Sequence, residues 1–513
     1  MRHLLSIAAA FLLLGQAALA ANLVIGVPSE TTSIDPHYQD LTPNHQITQH
    51  IFESLVQTGP NDELIPGLAI SWQITLDPTV WNFALRQGVR FTDGAPFTAR
   101  DVVFSLDRAQ DVPGAPSTLK RYLQEIAEVF AVDDHTLRIR TKKPAPTLPS
   151  NLAGIGIISA KLPRDVASMM FNKGEGTFGT GPYKLVEYVP GSRVKLAANP
   201  DYWGGKPTWD NVTFRLFANR GSRVAALLAG DVDLIADVSA NDVPTLEASG
   251  KVKVARGPSN RVIFWSMDVA RETTPFITDN DDQAIPNPLR DRRVRQAFSL
   301  AIDRNLLVDR IMSGLAVPAN QIPPVEYGGH DPSIPFPAAD PARAKSLLAE
   351  AGYPKGFKLT IHTTNDRYPN DSELAQAVAQ QLSHVGVTTK VQTMPVALYF
   401  GAARKKEFTM AQIGWGQAPG DAGLVMREAL RSDSINNYGG WKNERFDALI
   451  DEAASETRKT ERNALLAAAS RVAAEDDALI VTHYQVNVWA AKKDLDVVPR
   501  MDEKTLAMSV THE

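Results

Sequence analysis

The 513-residue chain contains no cysteine. That excludes disulfides, thiolate metal sites and the lipid-bearing cysteine of a lipoprotein, so a hydrophobic core alone must hold the fold. Long apolar runs are also missing once the N-terminus is passed. At the N-terminus, Arg2 and His3 precede an apolar stretch from Leu4 to Leu14. Ala18-Leu19-Ala20 then supplies the small-x-small pattern of a signal-peptidase site. The stretch is well short of the ~20 residues that cross a bilayer core. Residues 1–20 therefore read as a signal peptide cleaved after Ala20, leaving a soluble mature chain. A free exported protein is retained only behind a second membrane, which points to a Gram-negative periplasm. Charge of one sign is lacking as well. The net charge is −5, with 22% charged and 44% hydrophobic residues, an ordinary globular balance that gives no support to nucleic-acid or anionic-membrane binding. At ~150 residues per domain the length suggests three domains.

The motifs of chemistry fail one by one. Gly174-Glu175-Gly176-Thr177-Phe178-Gly179 has the spacing of a dinucleotide-binding loop. That loop works only between a strand and a helix N-terminus, whereas Gly181-Pro182 and a strand follow here. These glycines are expected to let the chain turn between domains. There is no His-Glu-x-x-His. His45 and His50 are five residues apart, off a common helical face, and with His37 they read as surface or capping histidines rather than metal ligands. No Gly-x-Ser-x-Gly elbow marks a hydrolase. The chain is expected to be no enzyme and to need no cofactor or metal.

What is present is an α/β pattern. Trp81, Phe83 and Leu85 alternate as in a half-buried strand. Thr98 opens a helix through Val102 and Leu106. Tyr183–Val189 and Arg193–Ala197 form a hairpin around Pro190-Gly191-Ser192. Val294, Phe298, Ile302 and Leu306 predict one face of a long helix. Asp340-Pro341 starts another. Phe357–His362, a helix through Leu374, Val378 and Leu382, and Val387–Met394 make a strand–helix–strand unit with parallel pairing. Pro-rich loops at 144–149, 318–324 and 331–341 are candidate borders.

A set of segments in fixed order goes further. Leu64-Ile65-Pro66-Gly67-Leu68-Ala69 precedes Ser71-Trp72, followed by Trp81 to Gly94 and Asp101-Val102-Val103-Phe104-Ser105. Gly179-Thr180-Gly181-Pro182-Tyr183, Asn199-Pro200-Asp201-Tyr202-Trp203 and Val294-Arg295-Gln296-Ala297-Phe298 come after them. Together they resemble the extracellular solute-binding family 5, the peptide/nickel-type receptors of ABC importers. The resemblance covers the chain from about residue 23 to its end.

It implies an α/β fold, a type II periplasmic-binding clamshell with an extra inserted domain. Domain I would comprise 21–59, 179–265 and 486–513, domain II 60–178, and domain III 266–485. A small solute, a short peptide or peptide-like compound first, would be held between domains I and III and passed to a membrane permease by a monomeric receptor. Carried over residue by residue, Arg367 falls where dipeptide-binding relatives bind the ligand's α-carboxylate; its alternative is pairing with Asp366 or Asp371. Trp415, in Gly414-Trp415-Gly416, would wall the pocket. In relatives an aspartate three residues past this Trp meets the peptide amine. Here that position is Ala418, and the nearest acid is Asp421. Tyr438 and His483 fall near the cleft in relatives. The missing acid keeps a sugar, an opine-like conjugate or a chelated metal open as ligand.

Overall fold

The computed structural model describes residues 20–116 and 119–513. The leader expected over 1–20 lies, but for Ala20, outside the described residues. Among the described residues no helix is long and apolar enough to cross a membrane.

The short apolar run near the N-terminus forms β1 (Asn22–Val27). It lies in the sheet interior, parallel to Asn211–Leu216 on one side and Leu234–Ile235 on the other. Leu23, Ile25 and Val27 pack there with Tyr183, Val194 and Trp489. Helix α1 (Thr42–Ile51) buries Ile47 and Ile51 in the same core. A separate four-stranded antiparallel sheet holds β2 (Val80–Leu85), whose Trp81, Phe83 and Leu85 face its core as the alternation predicts. Helix α2 (Ala99–Arg108) covers it, started by a capping box between Thr98 and Asp101.

Two long strands join the halves of the molecule. β3 (Val252–Met267) runs antiparallel to β7 (Leu479–Lys492), and each is long enough to belong to two cores. Residues 252–258 pair with 486–492 beside β1's neighbours. Beyond a register break at 259–261, residues 262–266 pair with 479–484. Val252 and Val488 share one core, whereas Val262 and Tyr484 share another. A single twelve-stranded sheet thus passes through both lobes and narrows to these strands between them.

The second lobe contains the predicted unit β4 (Phe357–Thr364), α4 (Asp371–His384) and β5 (Val387–Met394), with β4 and β5 parallel from Phe357↔Val387 to Thr364↔Met394. β6 (Met410–Gly416) lies between β4 and β3. The long helix expected through Leu306 is a correction. α3 (Arg292–Ala301) stops at Ile302, which is extended, and a new short turn begins at Arg304. Two side chains end it. The Asp303 carboxylate accepts the Leu306 N–H at 2.9 Å. The buried Arg304 guanidinium donates to the Ser299 and Ile302 carbonyls that a continuing helix would need.

The cores distribute some residues differently from the sequence boundaries. Leu55 and Val56 pack with β2 and α2, while Ile158, Val166 and Phe171 pack with β1.

Candidate functional site

The lobes meet at the register break of β3. Ser259-Asn260-Arg261 there lies against the C-terminal segment: the Asn260 N–H donates to the Met501 carbonyl at 3.0 Å. Arg261 grips Glu503 with two parallel bonds, Nε–Oε1 3.1 Å and Nη2–Oε2 3.0 Å. Ser259 Oγ donates to the same carboxylate at 2.8 Å. Burial works against the Glu503 charge, but Arg261, the Ser259 hydroxyl and the field of Arg367 together hold its carboxyl below the usual range.

Gly414-Trp415-Gly416 ends β6 beside this break, with Trp415 opposite Val262 and Gly416 opposite Arg261. The glycines make room. A Cβ on Gly414 would sit 2.4 Å from the Tyr368 ring, and one on Gly416 would sit 3.2 Å from Asn260 Oδ1. Tyr368 Oη accepts the Gly414 N–H at 2.8 Å and donates to its carbonyl at 3.0 Å, which fixes the 365–371 loop to β6. Trp415 is half-buried against the second-lobe core.

Arg367 is carried on that loop. Neither acid proposed as its alternative partner takes its guanidinium. Asp366 accepts the Val396 N–H, and Asp371 accepts Thr364 Oγ1 and the main-chain N–H groups of Arg367 and Tyr368. The guanidinium lies 5.3 Å from the Tyr368 ring. It remains open to solvent, yet burial of its inner side and then the like charge of Arg261 lower its pKa. Two guanidinium groups thus face one carboxylate, Glu503, which Arg261 already occupies. The region carries surplus positive charge that an anion would neutralise.

The other sequence-predicted residues sit differently. Ala418 and Asp421 close a tight turn, with the Asp421 N–H donating to the Ala418 carbonyl at 3.1 Å. The Asp421 carboxylate is engaged by Arg462 at 2.8 and 3.0 Å and by the Gly423 N–H at 2.8 Å. Tyr438 is half-buried, packs against the same core as Trp415, and lines a small cavity on the second lobe with Ser266, Lys406 and Thr409. His483 is fully enclosed in β7 between Ile263 and Pro318, and burial pulls its pKa down to about 4. Sequence reasoning missed Arg261 and Glu503. An arginine inside an apolar strand, Asn260-Arg261-Val262-Ile263-Phe264, is the one signal that could have found the first.

The rejected motifs also acquire places. His37 and His50, expected as surface or capping residues, are fully buried. His37 Nε2 bonds the Gly156 carbonyl at 2.7 Å, and His50 Nδ1 bonds the Gln46 carbonyl at 2.7 Å. His45 pairs with Asp40. Among the described residues no group of three or more His, Asp or Glu is arranged to hold a metal. The glycine run leads into the strand Tyr183–Val189, and Gly179 passes so near α1 that a Cβ would lie 1.8 Å from the Ile51 carbonyl oxygen.

Two lobes joined by shared strands, with charged and aromatic side chains gathered at the junction, define a clamshell solute-binding protein. Residues 63–437 match the bacterial extracellular solute-binding proteins, family 5 (Middle). The chain belongs to this family. It is 30% identical over 449 residues to heme-binding protein A of Haemophilus influenzae, covering 81% of this chain and 78% of that protein. It is 28% identical over 509 residues to the glutathione-binding protein GsiB of Escherichia coli K12, covering 96% and 94%. Among solved structures it superposes on the periplasmic murein tripeptide binding protein MppA in its unliganded open form. That match has a TM-score of 0.80 and 25% identity, covering 96% of this chain and 98% of that one. The role that follows is that of the solute-binding component of an ABC importer.

Proposed function

We propose that the protein is a periplasmic receptor for a small anionic or zwitterionic solute, with short peptides or peptide-like compounds first. It closes its lobes on the solute and delivers it to an inner-membrane permease without altering it. The observation that carries this reading is Arg367, a guanidinium beside the lobe junction whose two neighbouring acids are both committed elsewhere. Its rigid fork of donors suits a carboxylate, and the pair strengthens as closure excludes water. Trp415 supplies an adjacent flat wall with an N–H donor. Tyr438, His483 and Asp421 serve first as packing and framing groups on this reading. A ligand bridging both lobes shifts the hinge equilibrium by its differential affinity for the closed form. The receptor acts as a monomer and calls for no nucleic acid, cofactor or metal.

Ala418 favours a second reading of the ligand. With no acid there and Asp421 bound to Arg462, a free amine has no evident counter-charge on that loop. A sugar, opine-like conjugate or chelated metal needs none. Mass spectrometry of solute released from protein purified from its native host identifies the candidate. Thermal-shift screening of dipeptides, opines, oligosaccharides and nickel chelates ranks the classes, since a ligand that binds only the folded state raises Tm. For a carboxylate ligand so found, Arg367→Ala is expected to remove most binding by calorimetry. Unchanged affinity rules out Arg367 as the carboxylate site.

A further inference from the structure

One carboxylate joins the first lobe, the hinge strand and the second lobe. Asp62 stands at the turn of the hairpin linking Val56–Thr58 to Leu64–Pro66. Its φ of 63° is left-handed, a conformation Asp tolerates better than most residues. Its Oδ2 accepts the Tyr327 hydroxyl at 2.5 Å and the Asn260 side-chain amide at 2.8 Å. Asp62 is 1% exposed and Tyr327 4%, so water does not compete for these bonds.

Each end is fastened within its own lobe. On the first, the Met501 N–H donates to the Pro60 carbonyl at 2.8 Å, and the Gly59 N–H to Glu63 at 2.8 Å. On the second, Tyr484 Oη bonds the Gln321 and Pro323 carbonyls, and Ser470 Oγ donates to the Gly329 carbonyl at 2.8 Å, so the loop bearing Tyr327 is tied to the core. Asn260 lies in the register break between the lobes and also donates to the Gln417 carbonyl at 3.2 Å. A further hydrogen bond across the cleft, Ser150 Oγ to the Pro419 carbonyl at 3.3 Å, is longer and involves no charged group.

No cation contacts the Asp62 carboxylate within salt-bridge distance among the described residues, and its Oδ1 is buried without a partner. A buried carboxylate so placed depends on its few donors. The Tyr327 donor is present only while the two lobes meet as they do here. We propose that Asp62, Asn260 and Tyr327 form an interlobe clasp, independent of the solute, that holds the lobes in this arrangement and so limits how far the cleft opens. The clasp holds whichever solute the cleft takes.

The absence of cysteine makes the test direct, since introduced thiols are the only ones to label. Spin labels at Val186→Cys on the first lobe and Leu398→Cys on the second, both well exposed, report the interlobe distance by pulsed electron resonance in solute-free full-length protein. Tyr327→Phe keeps the ring and removes the hydroxyl, and Asp62→Asn keeps a residue that accepts the left-handed turn. Each is expected to change the ratio of open to present arrangements by about tenfold or more, as loss of a hydrogen bond to a charged group does. The double variant is expected to fall short of the sum of the two, because Asp62→Asn takes the charge from the bond whose donor Tyr327→Phe deletes. Distance distributions for folded Tyr327→Phe that superimpose on the parent overturn the proposal. So do fully additive effects of the two substitutions.

Discussion

His50 offers a test of how the first-lobe core depends on a neutral histidine. The ring is buried at the end of α1, tilted against Tyr183 and edge-on to Phe214. Its Nδ1 faces the Gln46 carbonyl at 2.7 Å, so that nitrogen carries the proton. Nε2 must then be the acceptor for the Ala507 N–H, 2.9 Å away. A second proton on Nε2 would face an N–H donor in a dry core. Burial accordingly pulls the pKa from 6.5 to about 4.

Because the folded pKa lies below the unfolded one, the unfolded chain takes up the proton first as pH falls. The stability tied to neutral His50 is complete above pH 6.5 and is lost as pH drops towards 4. At about 1.4 kcal/mol per pH unit, the loss over that window is about 3 kcal/mol. His50→Phe keeps an aromatic ring but strands the Ala507 N–H, a cost of about 1–3 kcal/mol near neutrality. Urea unfolding of both proteins, followed by tryptophan fluorescence between pH 7.5 and 4.5, should show the variant less stable at the top of the range. The gap should then close steadily below pH 6.5, since Phe has no proton to take up. A gap that stays constant across the range refutes the neutral, buried assignment.

Two substitutions elsewhere probe the joints of the first lobe. Arg108 is fully buried and holds Asp35 at 2.9 and 2.6 Å, so Arg108→Leu should lower stability by about 3–5 kcal/mol in thermal unfolding. Replacing Asp35 and Arg108 together by apolar residues should cost less than either single change. Gly179→Ala forces a methyl onto the Ile51 carbonyl and should lower the denaturation midpoint by the equivalent of about 3 kcal/mol or more, whereas Gly154→Ala, with open space around it and no left-handed backbone, should show no such clash.

The elements that could be read from the sequence are those whose signal is local. β2 alternates, α4 repeats its apolar residues at four-residue spacing, and Asp340 with Pro341 starts a helix where predicted, its carboxylate accepting the Arg343 N–H. The α3 break was hidden because periodicity sees only apolar side chains. Arg304 occupies carbonyls at the end of the helix and Asp303 caps the turn that follows, against the hydrophobic spacing of Ile302 and Leu306. The candidate site was partly visible, since Arg367 and Trp415 lie in recognisable segments. Their setting was not. Arg261 meets Glu503 across 242 residues, and Tyr327 meets Asp62 across 265. Only the crossing of β3 and β7 brings those segments together, and no local pattern encodes it.

The turn after Trp415 bears on which end of a solute this cleft can recognise. Asp421 and Arg462 are both largely buried, and Gly423 is held so near them that its Cβ would lie 2.8 Å from Arg462 Nη2 and from Asp421 Oδ1. For Asp421 to turn towards a ligand amine, Arg462 would be left buried without its carboxylate, at a cost of about 3–5 kcal/mol. A single new ammonium contact offsets that cost poorly, because the amine must also shed its water. Glu503 is no better placed, with both oxygens on Arg261 and one shared with Ser259. On the reading proposed above, the groups around the hinge can therefore recognise the anionic end of a solute far more readily than a free amine. A peptide that binds here must bring its amine to water or to another part of the cleft, and a ligand whose amine is already substituted escapes that cost.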